Sequence, residues 1–449
     1  MLLKSEGELN DFLKGVLKQG EKLEVSDEGR LRKEIIDRLV YNAVFSPEKD
    51  VADGARHVIE RCATALGAYP ASIQGLYDAM GRGEVSGFTV PAVNIRGLTF
   101  DTARALFRAA KKNSSSAFIF EIAKSEIDYT MQRPAEFASC VLAAAIKENY
   151  KGPVFIQGDH FQVNAKKYSV DKSAEIIGLK ALIKEALDAG FMNIDIDAST
   201  VVDLSRATVS DQQKPNYEIT AALTVFIRGF ERPGVTVSIG GEIGEVGGKN
   251  STPEELKAFM DGYLHILGGK MKGISKISIQ TGTSHGGVVL PDGSIAKVKV
   301  DFDTIEKLSA MSRKDYGLAG VVQHGASTLP DDAFDIFMKK GAAEVHLATG
   351  FQNIVYESKA FPASLKQEMY SYLRTKCASE KKVEETDEQF IYKTRKKAFG
   401  PFKEKVWNMP EDNKRKIGAE LEDRFDLIFK KLNSVNTVDI VKKRVPGGK

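Results

Sequence analysis

The chain has 449 residues, 42% of them hydrophobic and 28% charged, enough for one large domain with appended helices or for two to three smaller ones. Basic and acidic residues number 64 and 61, leaving a net charge of +3, a balance that argues against nucleic acid or an anionic membrane as the principal partner. Three scattered cysteines, Cys62, Cys140 and Cys377, form no C-x-x-C pair; with no apolar run near the roughly 20 residues of a membrane span and no leader pattern at the start, a cytoplasmic protein is expected.

Residues 1–84 read as a helical extension. Leu9, Phe12, Leu13, Val16 and Leu17 recur at offsets of three and four, as do Leu31, Ile35, Leu39 and Val40, with Gly7, Gly20 and Gly29 between them. Nothing in this stretch combines reactive side chains, so packing on a neighbouring domain or subunit is its expected role.

From about residue 85 the period changes, and short apolar runs alternate with helical stretches. The runs are Phe88–Val93, Ala117–Ile122, Val154–Ile156, Met192–Asp197, Val235–Ile239, Ile274–Ile279, Leu318–Val322 and Ala343–Leu347. Eight strand–helix units over residues 85–360 predict an α/β fold, a (β/α)8 TIM barrel, rather than an open doubly wound sheet. Residues 361–449 carry more charge and less glycine, and Leu421, Phe425, Ile428 and Leu432 give the last long helix an apolar stripe. A C-terminal helical region is expected there, with residues 398–403 able to reach the active face.

Four histidines, His160, His285, His324 and His346, fall late in or just after barrel strands. In a parallel barrel those ends converge on one face. Asp159 and His160 are expected where the third strand gives way to a loop. In the fourth, the period of two turns Asn193, Asp195 and Asp197 into the barrel; two buried anions cost several kcal/mol unless a cation offsets them, and a bound metal is the cation expected. Glu242, among glycines at the fifth strand end, is the better carboxylate ligand, with Glu245 in reserve. Imidazoles joined by a carboxylate suit a divalent ion, most simply zinc, with an open position for a substrate oxygen. Gly325 and Ser327 after strand seven, and Thr349 after strand eight, supply N–H groups and hydroxyls for a phosphate.

These segments resemble the class II, metal-dependent fructose-bisphosphate aldolase family from about Val90 to Glu357. The motifs are Pro91-Ala-Val-Asn94, Gly158-Asp-His160, Asp195-Ile-Asp-Ala-Ser199, Gly241-Glu-Ile-Gly-x-x-Gly-Gly248, Thr283-Ser-His-Gly286 and His324-Gly-Ala-Ser327. The resemblance implies His160, His285 and His324 as metal ligands, with Glu242 and Asp197 as acidic positions for the ion. It implies Asp159 as the residue exchanging the C4 hydroxyl proton, Gly286, Gly325 and Ser327 as phosphate contacts, and Asn94 as framing the substrate, a phosphorylated ketose.

A homodimer or larger assembly is implied in the same way. A Schiff-base route would need a lysine at a strand exit, whereas Lys276 is expected at a strand's beginning and on the wrong face. The chain departs from the family after Gly248, where Lys249-Asn250 replace acidic residues, and at strand eight, where His346 and Ala348 stand in place of asparagine and aspartate. Gly158-Asp-His160, Asp197-Ala-Ser199 and Arg133-Pro-Ala-Glu-Phe137 also resemble the auxiliary subunit of tagatose-bisphosphate aldolase, which leaves a tagatose-type enzyme or a non-catalytic subunit as alternatives.

Overall fold

A computed structural model describes residues 2–18, 23–244, 248–282, 290, 300–445 and 447. Eight parallel strands close on themselves: β1 (Val90–Asn94), β2 (Ile119–Ala123), β3 (Gly152–Gln162), β4 (Asn193–Asp197), β5 (Ser238–Glu242), β6 (Lys276–Ile279), β7 (Val321–Gln323) and β8 (Glu344–Leu347). Each pairs with the next, and β8 pairs with β1 through Glu344↔Val90 to Leu347↔Val93. This is the expected (β/α)8 barrel, with helices flanking it before and after. Most strand residues are buried because helices cover the outside, where the apolar side chains face, while polar as well as apolar side chains fill the lumen.

Two strand boundaries differ from expectation. The fifth lies later than Val235–Ile239, which brings Glu242 into the strand itself. The third runs to Gln162 instead of ending before Asp159, and its pairing with β4 slips from Gly158↔Ile194 to Phe161↔Ile196. One extra residue is thereby accommodated as a bulge at Asp159 and His160, and His160 takes a left-handed φ of 41°. Gly158 is required here, since a Cβ on it would lie 2.6 Å from the ring of Phe161.

The N-terminal stretch is not helical throughout. Its first helix, Glu6–Leu13, stops before Val16, and Leu17–Lys18 pairs antiparallel with Glu24–Val25. Ala68–Ala71 forms a ninth parallel strand beside the first half of β3, and helix Gln74–Gly81 lies across the beginning of the barrel. There Leu76, Tyr77 and Met80 pack with Val90, Ala92, Ile119, Phe155 and Val441 in a small separate core that closes the barrel floor. The long C-terminal helix Glu411–Lys431 docks on helix Thr99–Lys112, joined by Arg108–Glu422 at 2.6 Å and Lys112–Asp426 at 3.2 Å. Among the described residues no helix is long and apolar enough to cross a membrane.

Candidate functional site

The strand ends open into a cavity of about 370 Å³ whose lining includes Asn94, Asp159, His160, His324, Gly325, Ser327, His346 and Thr349. Eight residues spread over more than 250 positions in sequence thus share one hollow. His285 and Gly286, and the reserve ligand Glu245, lie outside the described residues.

The bulge in β3 turns His160 toward β4 and β5. Its Nδ1 stands 3.3 Å from Asp197 Oδ2 and 3.2 Å from Glu242 Oε2. His324, just past β7, packs against it with ring centroids 4.1 Å apart and planes tilted by 37°, and its Nε2 lies 4.0 Å from the same Glu242 oxygen. Ligands held about 2.1 Å from an ion in tetrahedral array are separated by roughly 3.4 Å. His160, Glu242 and His324 offer donor atoms all within 4.8 Å of one another, so two imidazoles and a carboxylate fit one divalent ion. Asp197 stays behind them, its carboxylate accepting from the Ser199 hydroxyl at 2.7 Å and the Gln162 amide at 2.5 Å. Burial would raise its pKa, but the His160 pairing and these donors hold it below the usual carboxylate range.

Beside this group His346 bridges two levels of the lumen. Its Nδ1 lies 3.1 Å from Asp159 Oδ1 and 3.2 Å from Glu121 Oε2, and its Nε2 lies 2.5 Å from Glu344 Oε1. Burial alone would lower the pKa of both His160 and His346; the surrounding carboxylates outweigh it and hold each well above the ordinary imidazole range. Glu121, fully buried on β2, is pushed well above its ordinary value by desolvation.

Below His346, Lys276 enters the lumen rather than facing away from it, a correction to the sequence expectation. Its Nζ donates to Glu344 at 2.5 Å and to Gln157 at 2.7 Å, and it pairs with Asp195 at 3.0 Å. The cation that offsets Asp195 is therefore this lysine, not a metal. Burial pushes Asp195 up to about 6 against the pull of Lys276, whereas Glu344 lies far below its usual value despite burial, drawn down by Lys276 and His346. Glu344 is thus the carboxylate that holds the lysine's charge. Lys276 itself stays above the ordinary lysine range, so it is protonated and a poor nucleophile. Tyr77, from the helix under the barrel, donates its hydroxyl to Glu344 from below.

The proposed phosphate loops meet each other. Gly350 N donates to the Ser327 hydroxyl at 3.1 Å, and Gly325 takes φ 69° ahead of the turn Ala326–Thr328. Thr349 accepts from Arg96, which is ion-paired to Glu126 at 2.6 Å. Asn94 donates its amide to the other oxygen of Glu126.

Sequence reasoning missed Arg96, Glu121, Lys124 and Lys396 as parts of this hollow, and Glu344 beneath it. Arg96 and Lys124 directly follow β1 and β2, a position that could have flagged them; nothing local marks Lys396.

The model of the family described as fructose-bisphosphate aldolase class-II matches residues 76–411. No curated protein matches the chain significantly. Among solved structures, the fructuronate-tagaturonate epimerase UxaE from Cohnella laeviribosi aligns with TM-score 0.57 at 12% identity, over 93% of each chain. A probable tagatose 6 phosphate kinase from Sinorhizobium meliloti 1021 aligns with TM-score 0.53 at 16% identity, over 79% of this chain and 98% of its own. The fructose-bisphosphate aldolase of Campylobacter jejuni gives 0.48 at 19% identity, over 82% and 97%.

Proposed function

Because the chain belongs to the class II fructose-bisphosphate aldolase family, we propose that it is a metal-dependent lyase. It reversibly splits a ketose 1,6-bisphosphate, fructose 1,6-bisphosphate in the first instance, into dihydroxyacetone phosphate and glyceraldehyde 3-phosphate. The observation that carries this reading is the convergence of His160, Glu242 and His324 within 4.8 Å, the two histidines lining one cavity with a second carboxylate, Asp159.

His160, His324 and Glu242 would hold the divalent ion, zinc by donor chemistry, with His285 completing the set as the family resemblance implies. Such an ion stabilises the charge left on the carbonyl fragment when the carbon–carbon bond parts. Asp159 takes the C4 hydroxyl proton during cleavage and returns it during condensation. His346, hydrogen-bonded to Asp159 on one side and Glu344 on the other, fixes that carboxylate's orientation. Gly325, Ser327 and Thr349 serve the phosphate, through N–H groups and hydroxyls at the ends of β7 and β8. Cytoplasmic location and assembly into a homo-oligomer accompany this reading.

The test is a cleavage assay over fructose and tagatose bisphosphates, with and without a chelator, and with divalent ions restored singly. Turnover that survives full metal removal would reject the mechanism. No turnover alone, with activity gained only on adding a partner chain, would instead favour a non-catalytic subunit.

A further inference from the structure

The helix Lys172–Asp188, which follows β3, is apolar on both of its sides. On one side Leu179, Ile183 and Ala186 are buried. On the other, Ala174, Ile177, Gly178 and Ala181 recur at offsets of three and four and are all exposed, Ile177 by 66%. A helix that is apolar all round is one that is covered all round. Among the described residues nothing does so here: a Cβ on Gly178 would meet no atom within 4 Å. Glycine is the poorest helix former after proline, so at an open position in the middle of a helix it calls for a reason from outside the chain. Close approach of another backbone is such a reason.

The stripe is complementary to itself. Ala174 and Ala181 lie equally far from its centre, and beyond them Asp171 and Lys184 carry opposite charges. When two copies of the helix cross antiparallel about a twofold axis between Ile177 and Gly178, each Ile177 covers the partner's Gly178. Ala174 then meets the partner's Ala181, and Asp171 meets the partner's Lys184. Lys184 pairs with Asp188 of its own helix at 2.5 Å and is still 40% exposed, so it can serve both carboxylates. A parallel crossing would set like charges against each other at both ends, which disfavours it.

The rim fits a second copy better than a membrane. Lys172, Lys180 and Lys184 are balanced by Asp171, Glu185 and Asp188, so anionic lipid would gain no net attraction. The next helix, Val209–Arg228, widens the face toward the roughly 800 Å² per partner that a stable interface takes. Lys180 and Lys184 reach over the rings of Phe226 and Phe230 at 5.3 and 5.2 Å, and Phe230 remains 44% exposed.

We infer that this face is the interface between two copies of the chain, with the helices Lys172–Asp188 crossing antiparallel at Gly178. The contact rests on the helix alone and holds whether or not the chain is an aldolase.

Two measurements on the full chain test it. The first is sedimentation velocity over a dilution series. The 49.2 kDa chain is expected to sediment as a dimer or a multiple of one, and Ile177→Glu should raise the dissociation constant at least a hundredfold with circular dichroism unchanged. The second is disulfide trapping, for which the native Cys62, Cys140 and Cys377 are all buried. The double variant Ala174→Cys/Ala181→Cys should yield at least tenfold more covalent dimer than either single variant, because each new thiol meets only the other kind across the axis. Val383→Cys, at a fully exposed position, sets the background from random collision.

A monomer at every concentration overturns the interface, as does an assembly that Ile177→Glu leaves intact. Trapping of the single variants as readily as the double one, or of none above background, overturns the antiparallel crossing and the inference with it. A dimer with these properties that cleaves no ketose upholds the interface and overturns the aldolase reading.

Discussion

The ammonium of Lys276 stands 2.5 Å from the carboxylate of Glu344, and both side chains are at most 1% exposed. Removing one partner of such a pair leaves an uncompensated charge in the barrel, a loss of about 3–5 kcal/mol. Lys276→Met should therefore lower unfolding free energy in urea by that amount. A loss under about 1 kcal/mol would mean the pair is not what holds the lumen together.

Metal content and turnover should separate in two variants. Asp159→Asn is expected to keep a full equivalent of metal and lose cleavage by about 10²–10⁴-fold. His324→Ala is expected to lose metal occupancy itself, read by elemental analysis after dialysis. Near-normal turnover in Asp159→Asn would reassign the proton carrier.

His346 should set the acid limb of the cleavage profile. It is held protonated by Glu121, Asp159 and Glu344, although burial opposes this. Replacing it with asparagine removes a positive charge from beside Asp159, which then holds its own proton more tightly. In His346→Asn the acid limb of kcat against pH should move upward. A limb that stays fixed, or moves down, refutes this role.

The eight strands were legible because strands covered on both faces become apolar runs that alternate with helical periods. What lay inside the barrel was harder to read. The continuation of β3 through Gln157, Gly158, Asp159 and His160 looks like a loop, because residues turned toward a polar lumen carry no apolar signal. The fifth strand runs past its apolar run, to Glu242, because Gly240 and Gly241 offer no side-chain signal. Lys276 and Glu344 sit where strands begin, so each reads as a solvated boundary although each neutralises the other. Asp159, His160, Glu242 and His324 are legible as candidates because each lies within a few residues of the end of an apolar run. Lys396 is not, since its 300-residue separation from Arg96 is bridged only by tertiary packing.

Gly97 should tolerate no side chain. A Cβ there would press on the ring of Phe399, which is 2% exposed and packed against Tyr356 at 5.0 Å between centroids. Gly97→Ala is expected to cost about 1–3 kcal/mol and to loosen the C-terminal segment, seen as faster proteolysis after residue 376. Unaltered stability and digestion would show that the ring yields freely.

Acid should weaken the joint between the C-terminal helix and the barrel. Partial burial raises the Asp426 carboxyl, but hydrogen bonds from Lys430, Asn113 and Lys112 outweigh it and bring it down to about 2 from 3.8. A depressed folded-state value gives stability that is present above about pH 4 and is lost as pH falls toward 2. With solvent screening this is worth about 1 kcal/mol. Wild type should therefore exceed Asp426→Asn in stability at pH 7, and the gap should close below pH 3; a gap independent of pH would contradict the pairing.

Tyr77 reaches up from the segment preceding the first barrel strand and donates to Glu344, which in turn holds Lys276 and His346. Excising the leading segment would accordingly do more than bare a greasy underside. It would admit water to a fully buried acceptor, Glu344, and the disturbance would climb the column of charges to the carboxylate at its top.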